Sequence, residues 1–387
     1  MSEKKVIVKT DWVSQFTLIG KPVINDYTFK IDEKSDKSNW IYNALNLGID
    51  CGEKFGTVYG ELMGGYSESG DNVIYAFGKK EEDSQKPREQ IVVDWNDRFK
   101  DGVLEEIDDM SFISVGLERT DKGNLFVKKF LSAYDAIAYI KEHLTDDMVV
   151  NVKGNLKYST WNDNVQVKKN ITSIFISKVD DPANYKATFT QTILIDKDSA
   201  SLKNIDKDKG VIFVDAKVLD YVKEVNGVEV KGQYPYNKQF EFAMDFSKED
   251  ACKKIMEKLF KVKKGITQIT FEGEFIEGGA VVTATLNDLP DDIRDLVDAG
   301  VYTVEEACAK CTANGNRERR MVLKKPAIKL VGENKTPVVQ KFDERYKEDD
   351  LILDYIFNNK TNDNNKVDNT ESVDITADDS MAWLNSL

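Results

Sequence analysis

The residues that could carry chemistry in this chain are few. Cys308 and Cys311 form a C-x-x-C pair, but zinc takes four ligands and neither a second pair nor a histidine lies nearby. On a helix that spacing puts both thiols on one face, so the pair reads as packing. The single histidine, His143 in "IKEHL", reads as a partly exposed residue at a helix end. Asp196/Asp198 and Asp206/Asp208 are acid-x-acid pairs of the kind that bind a divalent cation. They sit in Lys-rich loops without the remaining ligand spacing and read as solvated turns. The sequence holds no glycine-rich phosphate loop, nucleophile elbow or His-rich metal motif. The expectation is a non-enzymatic protein with no cofactor and no metal.

A better-organised set is basic and aromatic. Lys153, Lys157 and Tyr158 fall on one predicted strand, Trp161 in the following turn, and Lys168 and Lys169 on the next strand, with Phe126, Lys128 and Lys129 on a preceding one. Ammonium groups can track phosphates while aromatic faces stack bases, at roughly 1–3 kcal/mol per stacked base. The second half has a counterpart in "NRERRMVLKK": Arg317, Arg319, Arg320, Lys324 and Lys325. Arginine suits phosphate forks and base stacking. Tyr234 and Tyr236, in "QYPYNKQF", are expected in a loop or hairpin that adds stacking. The competing reading is a solvated lysine face, with Tyr158 in the core because it shares a strand face with Val152 and Leu156.

These residues must be held by elements that occur twice. "SAYDAIAYIKEHL" from Ser132 and "SKEDACKKIMEKL" from Ser247 share Ser, Asp, Ala, Ile, Glu and Leu at matching offsets. Each opens on a serine N-cap with a carboxylate three residues on, then repeats apolar residues at helical spacing. After each comes an alternating strand with a mid-strand glycine, "MVVNVKGNLKY" and "ITQITFEGEFI", which suits the sharp coiling of a small barrel. A second strand closes each half: "NVQVKKNITSIFIS" and "RRMVLKKPAIKLV". Upstream lie further strand-like runs, "GTVYGELMGGYSE", "NVIYAFGKK", "SFISVGLER" and "NLFVKKFL", then "YKATFTQTILI", "GVIFVDAKVL", "GVEVKGQY" and "KQFEFAMDF". Three or more strands, a helix and two strands, given twice, is the order of the OB-fold, a small Greek-key barrel. A pair of immunoglobulin-like sandwiches is the rival.

The fold class expected is mainly β with helices (α+β): a first OB-like domain over 1–182 and a second over 183–348. The second has a helical insertion near 278–320, holding "LPDDIRDLVDAG" and "TVEEACAKCTANG". A short helix or linker follows over 349–360, then a flexible acidic tail over 361–387. The 387 residues are 41% hydrophobic, as a globular chain requires, and no apolar run approaches the roughly 20 residues of a membrane span. With four cysteines unevenly placed, a cytoplasmic protein is expected. The net charge is −14, of which the tail carries −5, so a nucleic-acid site must be a local basic groove.

"MVVNVKGNLKYSTWNDNVQVKKNITSIFIS" resembles the last two strands of OB-fold domains, and "GEFIEGGAVVTATLNDLPDDIRDLVDAGVYTVEEACAKC" resembles a segment of phage-type proteins of Gram-positive hosts. As a whole the chain is similar to bacterial and bacteriophage single-stranded DNA-binding proteins with an acidic C-terminal tail. The resemblance implies a protein of replication, recombination and repair that coats single strands, located in the host cytoplasm if phage-encoded. It also implies that the tail docks on partner proteins, Asp378 and Asp379 steering while Met381, Trp383 and Leu384 anchor. The alternatives are a phage virion or assembly protein built from two β-domains, and an RNA-binding protein. Deleting residues 361–387 is expected to raise single-strand affinity at low salt, with the gain shrinking as salt rises. Fluorescence titration with oligo-dT at two salt concentrations checks this, and an unchanged affinity counts against the tail competing for the groove.

Overall fold

The computed structural model describes residues 5–80, 89–162, 164–225, 227–278, 281–282, 289–311, 313–314, 318–332, 334–353 and 356. The first half runs Ser14–Val23 (β1), Trp40–Asp50 (β2), Thr57–Ser67 (β3), the hairpin Ile113–Arg119 (β4) and Leu125–Phe130 (β5), the helix Ala133–His143 (α1), and the ribbon Val150–Trp161 (β6) and Asn164–Ile176 (β7). The second runs Lys186–Ile195 (β8), Val211–Val225 (β9), Val228–Ala243 (β10), the helix Glu249–Ile255 (α2), Ile266–Gly278 (β11), Glu318–Pro326 (β12) and Lys341–Tyr346 (β13).

Strand pairing in the first half closes a five-stranded barrel in the order β1-β2-β3-β7-β6-β1. Every pair is antiparallel except β3–β7, and α1 enters the chain between the third and fourth barrel strands. That is the OB order. The second half repeats the ring of pairings as β8-β9-β10-β12-β11-β8, again with one parallel pair, β10–β12.

The two rings share one sheet because their first strands pair with each other, antiparallel, from Ser14↔Gln191 to Ile19↔Lys186. The register places Phe16 opposite Phe189. Phe16 also opposes Gly154, which opposes Ile171, while Phe189 opposes Gly273, which opposes Leu323. The row across the seam therefore reads Ile, Gly, Phe, Phe, Gly, Leu, and a local pseudo-twofold axis passes between the phenylalanines. Both rings are almost completely buried, in one hydrophobic cluster that includes Leu18, Ile137 and Val152 of the first half and Ile193, Phe240 and Phe271 of the second.

This row gives the mid-strand glycines a second role beside coiling. A Cβ at position 273 would lie 2.3 Å from Phe189 Cζ; one at 154 would lie 1.9 Å from the Asn170 carbonyl oxygen and 2.7 Å from Phe16 Cε1. Each glycine is the floor on which a phenylalanine ring rests.

Ser132 caps α1 by accepting from the Tyr134 N–H at 3.1 Å, and Ala136, Ile137, Tyr139 and Ile140 form its buried stripe. The second helix differs from expectation. Its N-cap is Lys248, and the Ser247 hydroxyl instead donates to Asp245 at 2.6 Å, so the matching serine closes a turn one residue too early to cap. "GVEVKGQY" and "KQFEFAMDF" are also one strand, β10, rather than two. Pro235 opposes Leu219 on one edge and has no ladder partner on the other, which is where a strand tolerates a residue without an N–H. The expected insertion helices form, as Asp291–Asp298 and Val304–Cys311.

Gly273→Ala is expected to destabilise by about 1–3 kcal/mol through overpacking. Phe189→Leu should recover part of that loss, whereas Phe16→Leu should recover little of the loss from Gly154→Ala, where the nearest obstacle is backbone. Urea unfolding of both double-mutant cycles reads the difference.

Candidate nucleic-acid interface

Side chains alternate along β6, and its inward set is Val150, Val152, Gly154, Leu156 and Tyr158, all buried. The outward set is Lys153, Asn155, Lys157, Ser159 and Trp161. Register with β7 adds Asn170, Lys168, Gln166 and Asn164, opposite Asn155, Lys157, Ser159 and Trp161 respectively. This outer face of the ribbon thus holds cations, amides, a hydroxyl and a tryptophan 46% exposed, and neither strand places a carboxylate on it between Lys153 and Asn170. Lys153 is exposed and has no carboxylate partner among the described residues. Lys157 keeps about half its side chain exposed while its ammonium lies 3.2 Å from Asp220.

The same alternation removes two residues from the expected site. Tyr158 points into the barrel, where its hydroxyl donates to Gln191 Oε1 at 2.9 Å and burial pushes its pKa up, with Asp220 adding to the shift. Lys169 also turns inward and crosses to the second half. Its ammonium lies 2.6 Å from Glu277, with side chains 11% and 9% exposed, and 4.8 Å from the Phe275 ring centroid. It holds the two halves together and cannot also hold phosphate.

Phe126, Lys128 and Lys129 lie beyond the end of the ribbon away from Trp161, with Lys129 in the cross-strand row Lys153–Ser173–Ser114–Lys129. They lie on β5, which reaches the ribbon only through β4, and β4 pairs with β7 at Ser173–Phe175. At roughly 3.3 Å per residue that is about 30 Å along β7 from Asn164. Lys128 lies over the Phe130 and Tyr139 rings, and Lys129 pairs with Asp109 at 2.7 Å.

The basic counterpart in the second half is largely neutralised. Arg320 is paired with Glu241, Lys324 with Glu274 at 3.3 Å and Lys325 with Glu272 at 3.0 Å, because β12 lies between β10 and β11, both carrying glutamates. Arg319 is exposed and Arg317 lies outside the described residues. Tyr236 is buried and Tyr234 half-buried against it, ring centroids 4.9 Å apart, on strand β10 rather than in a loop. The tail residues Asp378, Asp379, Met381, Trp383 and Leu384 also lie outside the described residues.

The sequence reading missed the outer face of β2. There Trp40 stacks on Tyr42 with centroids 5.0 Å apart and planes at 17°, and Trp40 remains half-exposed. The i, i+2 spacing of "WIY" was the available signal. It also passed over the ribbon amides, which alternate in step with the lysines.

The other chemical candidates resolve into structure. His143 packs on Tyr139 at 4.2 Å, with Nδ1 3.7 Å from Glu118. Asp196 accepts from the Asp198 N–H and the Ser199 hydroxyl, and Asp206 from the Lys209 N–H, so both carboxylates close turns. Burial, with Asp50 nearby, pushes the Cys51 thiol up to about 12. Cys308 packs beside Leu289 and Ala307. No group of three or more His, Cys, Asp or Glu side chains converges among the described residues, and no helix among them is long and apolar enough to cross a membrane.

A family model described as YorF matches residues 117–270, from β4 across the seam into β11. No curated protein matches the chain. Among solved structures, the wild-type single-stranded DNA binding protein from Thermus aquaticus is similar at 10% identity with a TM-score of 0.30, over 69% of this chain and 87% of that one. A deletion mutant of the same protein is similar at 9% identity, with the same score and coverage. At that score the likeness leaves the function to be read from this chain's own surface.

Lys169→Ala is expected to cost about 3–5 kcal/mol, since it strands a buried Glu277 carboxylate, while Lys169→Met combined with Glu277→Leu should restore most of the stability. Chemical denaturation of the three variants checks this.

Proposed function

We propose that the protein is a non-enzymatic, sequence-tolerant binder of single-stranded DNA, and that the strand runs over the outer face of the β6–β7 ribbon in the first half. The observation that carries this reading is the composition of that face in a chain of net charge −14: Lys153, Lys157 and Lys168 alternate with amides and end at an exposed Trp161. Lysines neutralise phosphates without reading sequence, the indole offers a stacking face to any base, and the amides can hydrogen-bond base edges or sugars. A duplex hides its bases from the indole, so single strands are preferred.

On this reading the protein coats and protects single strands during replication, recombination or repair, in the cytoplasm of a bacterium or of a phage-infected host. The C-terminal residues, acidic with Met381, Trp383 and Leu384 near the end, recruit the proteins that act on the strand. The second half, whose cations are matched by glutamates, supports the ribbon more than it binds.

Replacing Lys153 and Lys168 together by Ala should lower the log–log salt slope of oligo-dT binding by roughly 0.7 per lost phosphate contact, and Trp161→Ala should cost roughly 1–3 kcal/mol. Lys325→Ala, which removes a cation of the second half, is the control. An unchanged slope in a folded double variant would sink the placement. Tighter binding of matched oligo-U than of oligo-dT would assign the ligand as RNA.

A further inference from the structure

The backbone ahead of β1, residues 5–13, is an arm bound across the second half. Ile7 is buried with Leu194 and Leu219, and Trp12 packs against the same cluster. The Val8 carbonyl accepts from the Tyr346 hydroxyl at 2.8 Å, and the Thr10 and Asp11 carbonyls accept from Gln268 Nε2 at 3.1 and 3.2 Å. Lys9 is therefore fastened on both sides. The arm also lies at the margin of the ribbon. β1 runs antiparallel to β6 from Gln15↔Asn155, with the Ser14 hydroxyl donating to the Leu156 carbonyl at 3.2 Å, so the residues before Ser14 lead toward the Lys157 end of β6. There Asp220 takes the place of β1 on the β6 edge, accepting from the Tyr158 N–H and lying 3.2 Å from the Lys157 ammonium.

We infer that Lys9 belongs to the nucleic-acid interface and takes a backbone phosphate of the strand where it passes from Lys157 over the ribbon's edge onto the arm, an extension that rests on the single-strand reading. Lys9 is partly exposed, and its ammonium lies 5.3 Å from the Trp12 ring centroid. Burial holds that ammonium below the usual lysine range; Asp220 opposes the shift and Lys157 adds to it, so the three charges share one neighbourhood. Two cations there face one carboxylate. Asp220 is already committed to the Tyr158 and Tyr221 N–H groups and to Lys157, and the arm's one described carboxylate, Asp11, is turned to Arg345 at 3.1 Å. A positive charge is left unmatched beside the lysines of the ribbon, and a phosphodiester is the anion that a strand lying on that ribbon brings to it. Because Val8 and Thr10 are anchored, little backbone freedom is lost when Lys9 takes it.

The test is oligo-dT titration of the full chain over a salt series, comparing the wild type with Lys9→Gln, with Lys9→Arg and with Lys153 and Lys168 replaced together by Ala. Lys9→Met, which keeps the apolar stem beside Trp12, takes the place of Lys9→Gln should that variant unfold by circular dichroism. Lys9→Gln is expected to weaken binding at low salt and to lower the log–log slope by roughly 0.7, one phosphate contact, while Lys9→Arg keeps the wild-type slope. Packing alone does not move that slope. Weaker binding at an unchanged slope would make Lys9 a structural residue of the arm and overturn the inference, as would unchanged binding. If the Lys153 and Lys168 double variant lowers the slope and Lys9→Gln does not, the strand stays on the ribbon and the extension alone fails. A wild type that does not bind oligo-dT sinks the ribbon and the extension together.

Discussion

The antiparallel pairing of β1 with β8 is the constraint on which the rest of the molecule depends. It places Phe16 against Phe189, and each ring then needs a glycine on its far side because a Cβ there would occupy ring space. A slip of one residue would turn Thr17 and Thr188 into the core and both phenylalanines out of it, so the row fixes the register. Burial of each phenylalanine supplies about 1.5–3 kcal/mol of the driving force. The polar links between the halves are made possible by this seam. Asp220 of β9 accepts from the Tyr158 N–H at 2.8 Å, on an edge of β6 that β1 no longer covers, and the Glu277 N–H donates to the Phe55 carbonyl at 2.8 Å.

The pseudo-twofold relates backbone and core but not surface. Lys153 opposes Thr17 on the first side, and Glu272 opposes Thr190 at the equivalent place on the second. A cation in one half is thus an anion in the other, and the second half's own cations are drawn onto those glutamates. Two halves with one topology carry different work: a basic, amide-rich ribbon on one side and a self-neutralised sheet on the other.

Much of the fold was legible in the sequence. The repeated helices, the glycine-bearing strands after them and the short ribbon turn all stand where periodicity puts them. β1 and β2 were not singled out, since Lys21-Pro22 and the polar Asn43 and Asn46 blur their alternation. The site was legible in composition but not in direction. Tyr158 and Lys157 are adjacent in sequence and face opposite sides of one strand, as the competing period-two reading of Tyr158 with Val152 and Leu156 has it. Lys168 and Lys169 could not be sorted without the register to β6. The glutamates that silence Arg320, Lys324 and Lys325 arrive from β10 and β11, and only strand order brings them there.

The placement of β1 also sets the order of events as the chain is made. Its local partner, β2, pairs with it over only Lys21–Val23, while its main partners on β6 and β8 lie more than a hundred residues downstream. At roughly 5–20 residues per second of synthesis, Ser14–Ile19 therefore waits on the order of ten seconds with both edges open. This waiting stretch is the one that later forms the seam, and the following Lys21-Pro22 are residues that discourage edge pairing with another chain. A nascent chain of this protein is thus most vulnerable to its neighbours on the ribosome through the strand that, once folded, is the most protected.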